Sequence, residues 1–213
     1  MARNLFFNTC RESSDHGAFN SWSRMPYATT LRNGTLSAIP AYIVATRNFI
    51  VANYAADGGC LDNDDGSAWY QIHHNFCVYG GHKSDFDGHS KQSFGNLHVY
   101  PQVYGPRCFA ILQAFPAPGF AEEYFNNTCI LANAGENVVT VPRVGNLKPA
   151  DFAQRILLAN NTVYVPGGSA PGPQGFANYS AFVEAGFDAG TVLRADMPDG
   201  KTIAEWGAAL VCE

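Results

Sequence analysis

The stretch that decides the fold is residues 75–100, NFCVYGGHKSDFDGHSKQSFGNLHVY. It opens with Asn-Phe-Cys-Val and, 21 residues later, reaches the related Asn-Leu-His-Val. The polar loop between these two runs contains His82, Lys83, Asp85, Asp87 and His89. Short apolar runs bounded by Gly, Asn and Asp are typical of β-strands. The stretch therefore predicts one complete coil of a repeating structure, in which a strand leads through a functional loop to the next strand.

The same motif, an Asn followed by a short apolar run, recurs along the chain. Its asparagines are Asn4, Asn48, Asn75, Asn96, Asn127 and Asn161. Successive separations are 44, 27, 21, 31 and 34 residues, and the first of these is the length of two turns. A repeat of this size without long amphipathic helices indicates a solenoid. We predict an all-β, right-handed parallel β-helix of about six to seven coils over residues 1–213, with stacked Asn amides. The alternative is a β-sandwich with Asn in its turns, which the irregular spacing favours.

The end of the chain has a helical pattern. Thr202 and Glu205 have the spacing of a capping box, and Ile203, Trp206 and Leu210 fall on one helix face. We predict a short C-terminal helix that closes the end of the solenoid core. The N-terminus shows neither a comparable cap nor a signal peptide, so the chain is expected to be the C-terminal part of a longer precursor.

The composition indicates the class of partner and the cellular compartment of the protein. The chain has a formal charge of −5 and no Lys/Arg run, which excludes nucleic acid as a partner. It contains no apolar run long enough to span a membrane. Its six cysteines are spaced apart, and four glycosylation sequons begin at Asn33, Asn126, Asn160 and Asn178. These features predict a secreted or cell-surface glycoprotein with disulfides, whose pairing the sequence leaves open.

Three acid-rich loops occupy similar offsets from the strand asparagines. They are residues 11–16, 62–66 and 83–89. Residues at equal offsets in a stacked solenoid lie above one another, so these loops are predicted to share one groove.

The first interpretation of this groove is catalysis on a polysaccharide. Asp64 and Asp65 are the predicted acid/base carboxylates, because paired carboxylates cleave glycosidic bonds. His16 and His89 are the predicted proton-transfer partners. Lys83 is predicted to neutralise the charge of a uronate, which would allow elimination or epimerisation. The residues predicted to contact the sugar are Arg11, Asp15, Asp85, Asp87, Trp22, Trp69 and Tyr70.

Three other interpretations stay open. Asp62 and Asp64 are oxygen ligands suited to calcium, although no Glu follows at the twelfth position of an EF-hand loop. The groove could instead be a non-catalytic carbohydrate-binding face, with Trp22, Trp69 and Tyr70 as stacking platforms. Finally, Asp and Asn side chains cap turns without any further role.

Other polar residues are assigned to the scaffold. His73 and His74 are adjacent in a strand, so at most one of them faces the groove. His98 lies inside a strand and is predicted to be a core or surface histidine. Glu122 and Glu123 follow a Pro-rich segment and are predicted to be solvated.

Four segments carry a resemblance to a known group. RESSDHGAFNSW (11–22), LDNDDGS (61–67), HHNFCVYGGHKSDFDGH (73–89) and GTVLRADMPDGKTIAEWGAALV (190–211) resemble right-handed parallel β-helix proteins of the pectate-lyase-like superfamily. The resemblance implies extracellular polysaccharide chemistry of the kind performed by pectate and alginate lyases, polygalacturonases and uronan epimerases. Polygalacturonase-like members carry an Asp-Asp pair followed one coil later by Gly-His. Asp64-Asp65 and Gly88-His89 match that order, but Gly-His-Gly and a following Arg-x-Lys are missing.

The resulting hypothesis is an extracellular protein acting on a uronic-acid polymer as a lyase, epimerase or hydrolase. The alternative hypothesis is a non-catalytic carbohydrate-binding or structural subunit of a larger extracellular assembly.

Overall fold

The strands of the protein form three all-parallel sheets. The computed structural model describes residues 1–22, 42–84, 88–112 and 115–212. Each strand pairs with the strands one coil before and one coil after it. This arrangement confirms the predicted all-β parallel β-helix.

Each coil passes through the three sheets in turn. Sheet B contains β1 (Leu5–Thr9), β4 (Phe49–Asn53), β7 (Phe76–Val78), β10 (Leu97–Val99), β13 (Thr128–Ile130), β16 (Thr162–Tyr164) and β17 (Val192–Arg194). Sheet C contains β2 (Phe19–Ser21), β5 (Leu61–Asn63), β8 (His82–Ser84), β11 (Arg107–Ile111) and β14 (Asn137–Thr140). Sheet A contains β3 (Ile43–Thr46), β6 (Ala68–His73), β9 (His89–Phe94), β12 (Glu122–Phe125) and β15 (Ile156–Ala159). The described strands make five complete coils, and sheet B continues for two more strands.

The predicted asparagine ladder is present at the corner that leads into sheet B. The side-chain amide of each Asn donates to the Oδ1 atom of the next, at 2.8–3.1 Å, from Asn4 through to Asn161. The backbone N–H of each donor residue bonds to the same Oδ1 atom at 3.0–3.1 Å. Asn161 then donates to Thr191, whose hydroxyl donates to Asp188 at 2.6 Å. The ladder pairs the buried polar groups of this corner from coil to coil.

A left-handed residue precedes every rung of the ladder. These residues have φ between 53° and 79°, and they are Arg3, Arg47, His74, Gly95, Asn126, Asn160 and Gly190. The left-handed conformation turns the chain sharply from sheet A into sheet B. Gly and Asn adopt it at little cost, whereas Arg and His are strained there.

The interior of the solenoid contains a column of buried side chains along sheet B, apolar except for one histidine. Ile50, Cys77, His98, Cys129 and Val163 occupy equivalent positions in successive strands, and all are buried. Two disulfides, Cys60–Cys77 and Cys108–Cys129, each connect the sheet C side of one coil to sheet B of the next coil. They add covalent links between coils that the stacked strands also hold together.

His98 is a core histidine, which was one of the two locations predicted for it. Its ring packs edge-on against Phe109 at 5.7 Å and has no solvent exposure. Burial disfavours the charged imidazolium and lowers the pKa of His98 to about 4.

The prediction that Glu122 is solvated was wrong. Its carboxylate lies inside the solenoid, 2.7 Å from the ammonium of Lys91 on the neighbouring strand. It also accepts hydrogen bonds from Ser84 at 2.7 Å and from Tyr124 at 2.9 Å. The two-residue alternation of β12 turns Glu122 inward and Glu123 outward, where Glu123 accepts from Gln92 at 3.0 Å.

The C-terminal end of the core is closed by a cluster of aromatic rings. Helices α1 (Pro149–Ala153) and α2 (Tyr179–Glu184) contribute Phe152, Tyr179 and Phe182 to the same buried cluster as the last strands. Phe176 and Phe187 pack against these rings from the flanking loops. The Gly/Pro-rich segment and α2 therefore provide the cap.

The predicted C-terminal helix is confirmed as α3 (Gly200–Cys212), but it lies along the side of the solenoid. Ile203, Trp206 and Leu210 form its apolar face, as predicted, and pack on the outer face of sheet B. Gly207 allows a close approach, since an added Cβ would overlap the ring of Phe76. The N-cap is Asp199, which accepts from the Thr202 backbone N–H at 2.7 Å, and not the predicted Thr202.

Candidate functional site

The candidate site is built on three consecutive strands of sheet C. Asn20 of β2, Asp62 of β5 and Lys83 of β8 pair in register, so their side chains form an outward column. The loop that precedes β2 and the turn that follows β5 fold over this column, and they supply Asp15 and Asp64. Three successive coils therefore meet at one place, as their similar offsets predicted.

The centre of the site is the ammonium of Lys83. It lies 3.3 Å from Asp62, 3.4 Å from Asp15 and 3.4 Å from Asp64, and its side chain is only 1% exposed. The ring of Tyr104 covers it at 5.7 Å in a cation–π contact. One cation thus compensates several carboxylates at the surface of sheet C.

Asp62 forms the buried floor of the site. Its Oδ2 atom accepts from the Gly17 backbone N–H at 3.2 Å and from the Asn20 amide at 3.0 Å. Burial raises the pKa of Asp62 to about 7, although Lys83 acts in the opposite direction. Burial alone would lower the pKa of Lys83, but the surrounding acids and Tyr104 raise it above its ordinary value. The negative charge of Asp62 and the positive charge of Lys83 therefore stabilise each other.

A small cleft opens beside the Lys83 column. It has a volume of about 200 Å³ and is lined by His16, Trp22, Asp64 and Asp65. Trp22 is 64% exposed. Ligand atoms of Asp15, His16 and Asp64 lie within 4.8 Å of one another. Five predicted site residues therefore converge on the exposed side of the Lys83 column.

The predicted calcium site does not fit this geometry. Asp62 and Asp64, the expected ligands, already face the Lys83 ammonium at 3.3 and 3.4 Å. A divalent cation bound to both carboxylates would be placed against that ammonium, and the two charges would repel each other.

The other predicted site residues lie away from this cleft. The ring of His89 is 2% exposed and packs edge-on between Trp69 at 5.6 Å and Phe120 at 5.2 Å. Tyr70 faces the core and packs on Phe19 at 6.0 Å. The guanidinium of Arg11 lies over the ring of Tyr54 at 5.7 Å. The predicted residues Asp85, Asp87 and Asn33 lie outside the described residues.

Two residues of the site were missed by the sequence reasoning. Asn20 positions Asp62, and Tyr104 covers Lys83. Asn20 lies one strand before Asp62 in register, a signal that becomes readable only once the strands are aligned. Tyr104 comes from the loop after β10, for which the sequence gives no spacing rule.

The asparagines of three predicted sequons are exposed, and the ladder explains why two of them are asparagines at these positions. Asn126 and Asn160 are the left-handed residues that precede the buried rungs Asn127 and Asn161. Asn178 caps α2, accepting from the Ala181 backbone N–H at 2.9 Å. Because the fold itself explains these asparagines, glycosylation stays a prediction.

Two disulfides are compatible with an oxidising compartment, and Cys10 and Cys212 are not disulfide-bonded. None of the helices in the described ranges has the length and apolarity needed to cross a lipid bilayer. Comparison of the chain with protein-family models, curated proteins and solved structures gives no match.

Proposed function

We propose that the protein is a secreted, carbohydrate-active β-helix protein that binds and hydrolyses a glycan at the cleft beside Lys83. The observation that carries the proposal is the exposed indole of Trp22 in the same cleft as His16, Asp64 and Asp65. An exposed indole provides an apolar surface for a sugar ring, while carboxylates and imidazole bind hydroxyls. The resemblance to the pectate-lyase-like superfamily supports the same class of substrate.

The carboxylates of Asp15 and Asp64 lie close enough together to act on one glycosidic bond. Oxygen atoms of Asp15 and Asp64 lie within 4.8 Å of each other. Retaining glycosidases place their two carboxyl groups about 5–5.5 Å apart, whereas inverting enzymes need a wider gap for water. In the proposed reaction, Asp64 attacks the anomeric carbon while the protonated form of Asp15 gives its proton to the leaving oxygen. Asp15 then takes a proton from water, whose oxygen displaces Asp64 and releases the sugar. His16 assists the proton transfers.

The charge of the site favours a neutral glycan over the uronic-acid polymer predicted from the sequence. Lys83 is enclosed by three carboxylates, and Arg11 lies on Tyr54. Asp65 adds a further acid to the cleft. A uronan would bring its own carboxylates against these acids, and like charges repel.

The proposal is tested with a panel of neutral oligosaccharides and polygalacturonate, measuring binding by calorimetry and new reducing ends by a colorimetric assay. We expect Trp22→Ala to abolish detectable binding, and Asp64→Asn to lower turnover by about 10²-fold or more with binding retained. Tyr79→Ala and Asp151→Asn remove another exposed aromatic ring and another exposed acid, and both should leave activity unchanged. Turnover that survives both site variants, or unsaturated products from polygalacturonate, would contradict the proposal.

The second candidate function is a non-catalytic carbohydrate-binding module. It is favoured by the enclosure of Lys83, because the three carboxylates then have a structural partner. Binding that depends on Trp22, without turnover of any glycan in the panel, would support this candidate over hydrolysis.

A further inference from the structure

A second cavity lies on another side of the solenoid, where α3 meets the corner between sheets A and B. Its volume is about 380 Å³, which is within the range of small-molecule sites. The residues that line it are His74, Gly95, Asn96, Leu97, Asn126, Thr128, Trp206, Ala209 and Leu210. We propose that this cavity holds a neutral sugar ring stacked against Trp206, independently of the cleft beside Lys83.

The apolar side of the cavity is a rigid platform. Trp206 and Leu210 belong to the face of α3 that packs on sheet B, and Leu97 of β10 is buried beneath them. The ring of Tyr164 supports Trp206 at a centroid distance of 5.7 Å. An indole fixed in this way presents a flat apolar surface, which matches the C–H face of a pyranose.

The polar side of the cavity has the groups that recognise hydroxyls. His74 supplies an imidazole, Asn126 an exposed amide and Thr128 a hydroxyl. These side chains both donate and accept hydrogen bonds. The described residues that line the cavity include no Asp, Glu, Lys or Arg, so the chemistry selects an uncharged polar ligand.

A glycine makes room for one of the side chains that line this cavity. Gly95 has φ +62°, and a Cβ added there would lie 3.2 Å from Nε2 of His74. The missing side chain leaves room for the imidazole over the corner. The same backbone position one coil later is Asn126, so the corner itself brings a hydrogen-bonding side chain to the cavity.

The sugar has two potential sources, a free oligosaccharide or a glycan attached to Asn126. Asn126 and Thr128 are the first and third residues of a sequon, and both line the cavity. Asn160 and Thr162 form a sequon at the equivalent position of the next coil, where Thr162 pairs in register with Thr128. That second sequon is a matched control, because neither of its residues lines the cavity.

The first arm of the test uses protein made in a host without N-glycosylation. Chitobiose is the probe, and saturation-transfer NMR detects its binding. The cavity variants are made in Trp22→Ala protein, which removes binding at the cleft beside Lys83, and Trp22→Ala alone should retain the transfer. We expect the transfer to be lost when Ala209→Phe, which fills the cavity while keeping a helical residue, or Trp206→Leu is added, and circular dichroism checks that α3 remains folded. Transfer that persists after Ala209→Phe is added, or that disappears in Trp22→Ala alone, would overturn the free-sugar assignment.

The second arm uses protein secreted by a glycosylating host. Thr128→Val removes the sequon at Asn126, and Thr162→Val removes the one at Asn160. A glycan bound in the cavity should slow amide hydrogen exchange in residues 203–210 relative to the unglycosylated protein. Of the two variants, only Thr128→Val should return the exchange to the faster rate of the unglycosylated protein. Equal exchange in both variants and the wild type, together with no chitobiose binding in the first arm, overturns the proposal.

Discussion

Two columns of polar side chains run along this solenoid, and they are built in opposite ways. The ladder repeats asparagine at the corner before sheet B, so every rung accepts from one neighbour and donates to the next. The column on sheet C changes at each coil, from Asn20 to Asp62 to Lys83. The first column is neutral and is buried from Asn48 onward, whereas the second concentrates charge beside an open cleft.

The difference separates stability from chemistry within one fold. A repeated amide satisfies its own hydrogen bonds in any number of coils, so it carries no information about a ligand. The column on sheet C instead places a cation, Lys83, where it attracts the further acids Asp15 and Asp64, and such concentrations of charge are found at functional sites. A stacked position at which the residue type changes from coil to coil is thus a better guide to the site than one at which it repeats.

The largest expected effect comes from breaking the ladder at Asn96. Its Oδ1 atom accepts from the backbone N–H of Asn75 at 3.0 Å and from the Asn75 amide at 2.9 Å. Asn96→Ala leaves the buried backbone N–H of Asn75 without this acceptor, and it also removes the hydrogen bonds that the Asn96 amide donates to Ile72 and Asn127. We expect a loss of about 4 kcal/mol in the free energy of unfolding. Urea denaturation measures it, with the exposed Gln102→Ala as control. A loss below about 1 kcal/mol would mean that the ladder is not a stabilising element.

The charged column should respond to the loss of its cation. Lys83→Met leaves the buried Asp62 without its partner, and we expect a destabilisation of about 3–4 kcal/mol at neutral pH. The double variant Lys83→Met/Asp62→Asn removes the uncompensated buried charge and should recover most of that loss. Equal stabilities of the single and double variants, measured by urea denaturation, would show that Asp62 and Lys83 are not coupled.

Acid should destabilise the protein through the core and not through the ladder, whose amides do not titrate. The folded-state pKa of His98 is about 4, below its ordinary value, so the unfolded chain binds a proton first as pH falls. The contribution of His98 to the free energy of unfolding should therefore fall by about 3 kcal/mol between pH 6.5 and 4.

Comparison with His98→Leu isolates this effect on the unfolding free energy. Asp62 is present in both proteins, and its raised pKa acts in the opposite direction, because stability is lost as pH rises toward about 7. His82, whose pKa burial also lowers, is likewise common to both. Parallel pH profiles of the two proteins would contradict the assignment to His98.

The smallest expected effect tests the corner that supports the ladder. Arg47 precedes a rung with φ 55°, a conformation that costs a non-glycine residue about 1–2 kcal/mol. Arg47→Gly should therefore stabilise the protein by up to about 1 kcal/mol, since glycine loses more entropy on folding. Gly95→Ala, at the equivalent position with φ 62°, should destabilise it. Thermal unfolding of both variants provides the measurement, and a loss of stability in Arg47→Gly would refute the strain argument.

Much of the fold was readable from the sequence because the ladder repeats one residue type. Six asparagines marked six coils, but the prediction of two turns between Asn4 and Asn48 was wrong, because Asn4 bonds directly to Asn48 and the interval is one coil. The seventh rung was missed because Thr191 performs that role. The amphipathic face of α3 was also readable. Its location was not, because an apolar stripe fits the side of a sheet as well as the end of a core.

The site was only partly predictable because loop lengths differ between coils. Counting residues from the strand asparagines brought the loops of Asp15, Asp64 and Lys83 together correctly. It could not determine which alternate residues of a strand face inward, and His89 is one that does, buried between two aromatic rings. Nor could it give the register that places Asp62 directly beside Lys83.

The ladder also has a direction. Within the ladder, every amide accepts from the preceding coil and donates toward the next, so the amide dipoles align head to tail with their positive end at Thr191. The carboxylate of Asp188 accepts from Thr191 there, as an acid does at the N-terminus of a helix. Since aligned hydrogen bonds polarise one another, the solenoid has an electrical polarity along its axis, and the closing cap supplies the counter-charge.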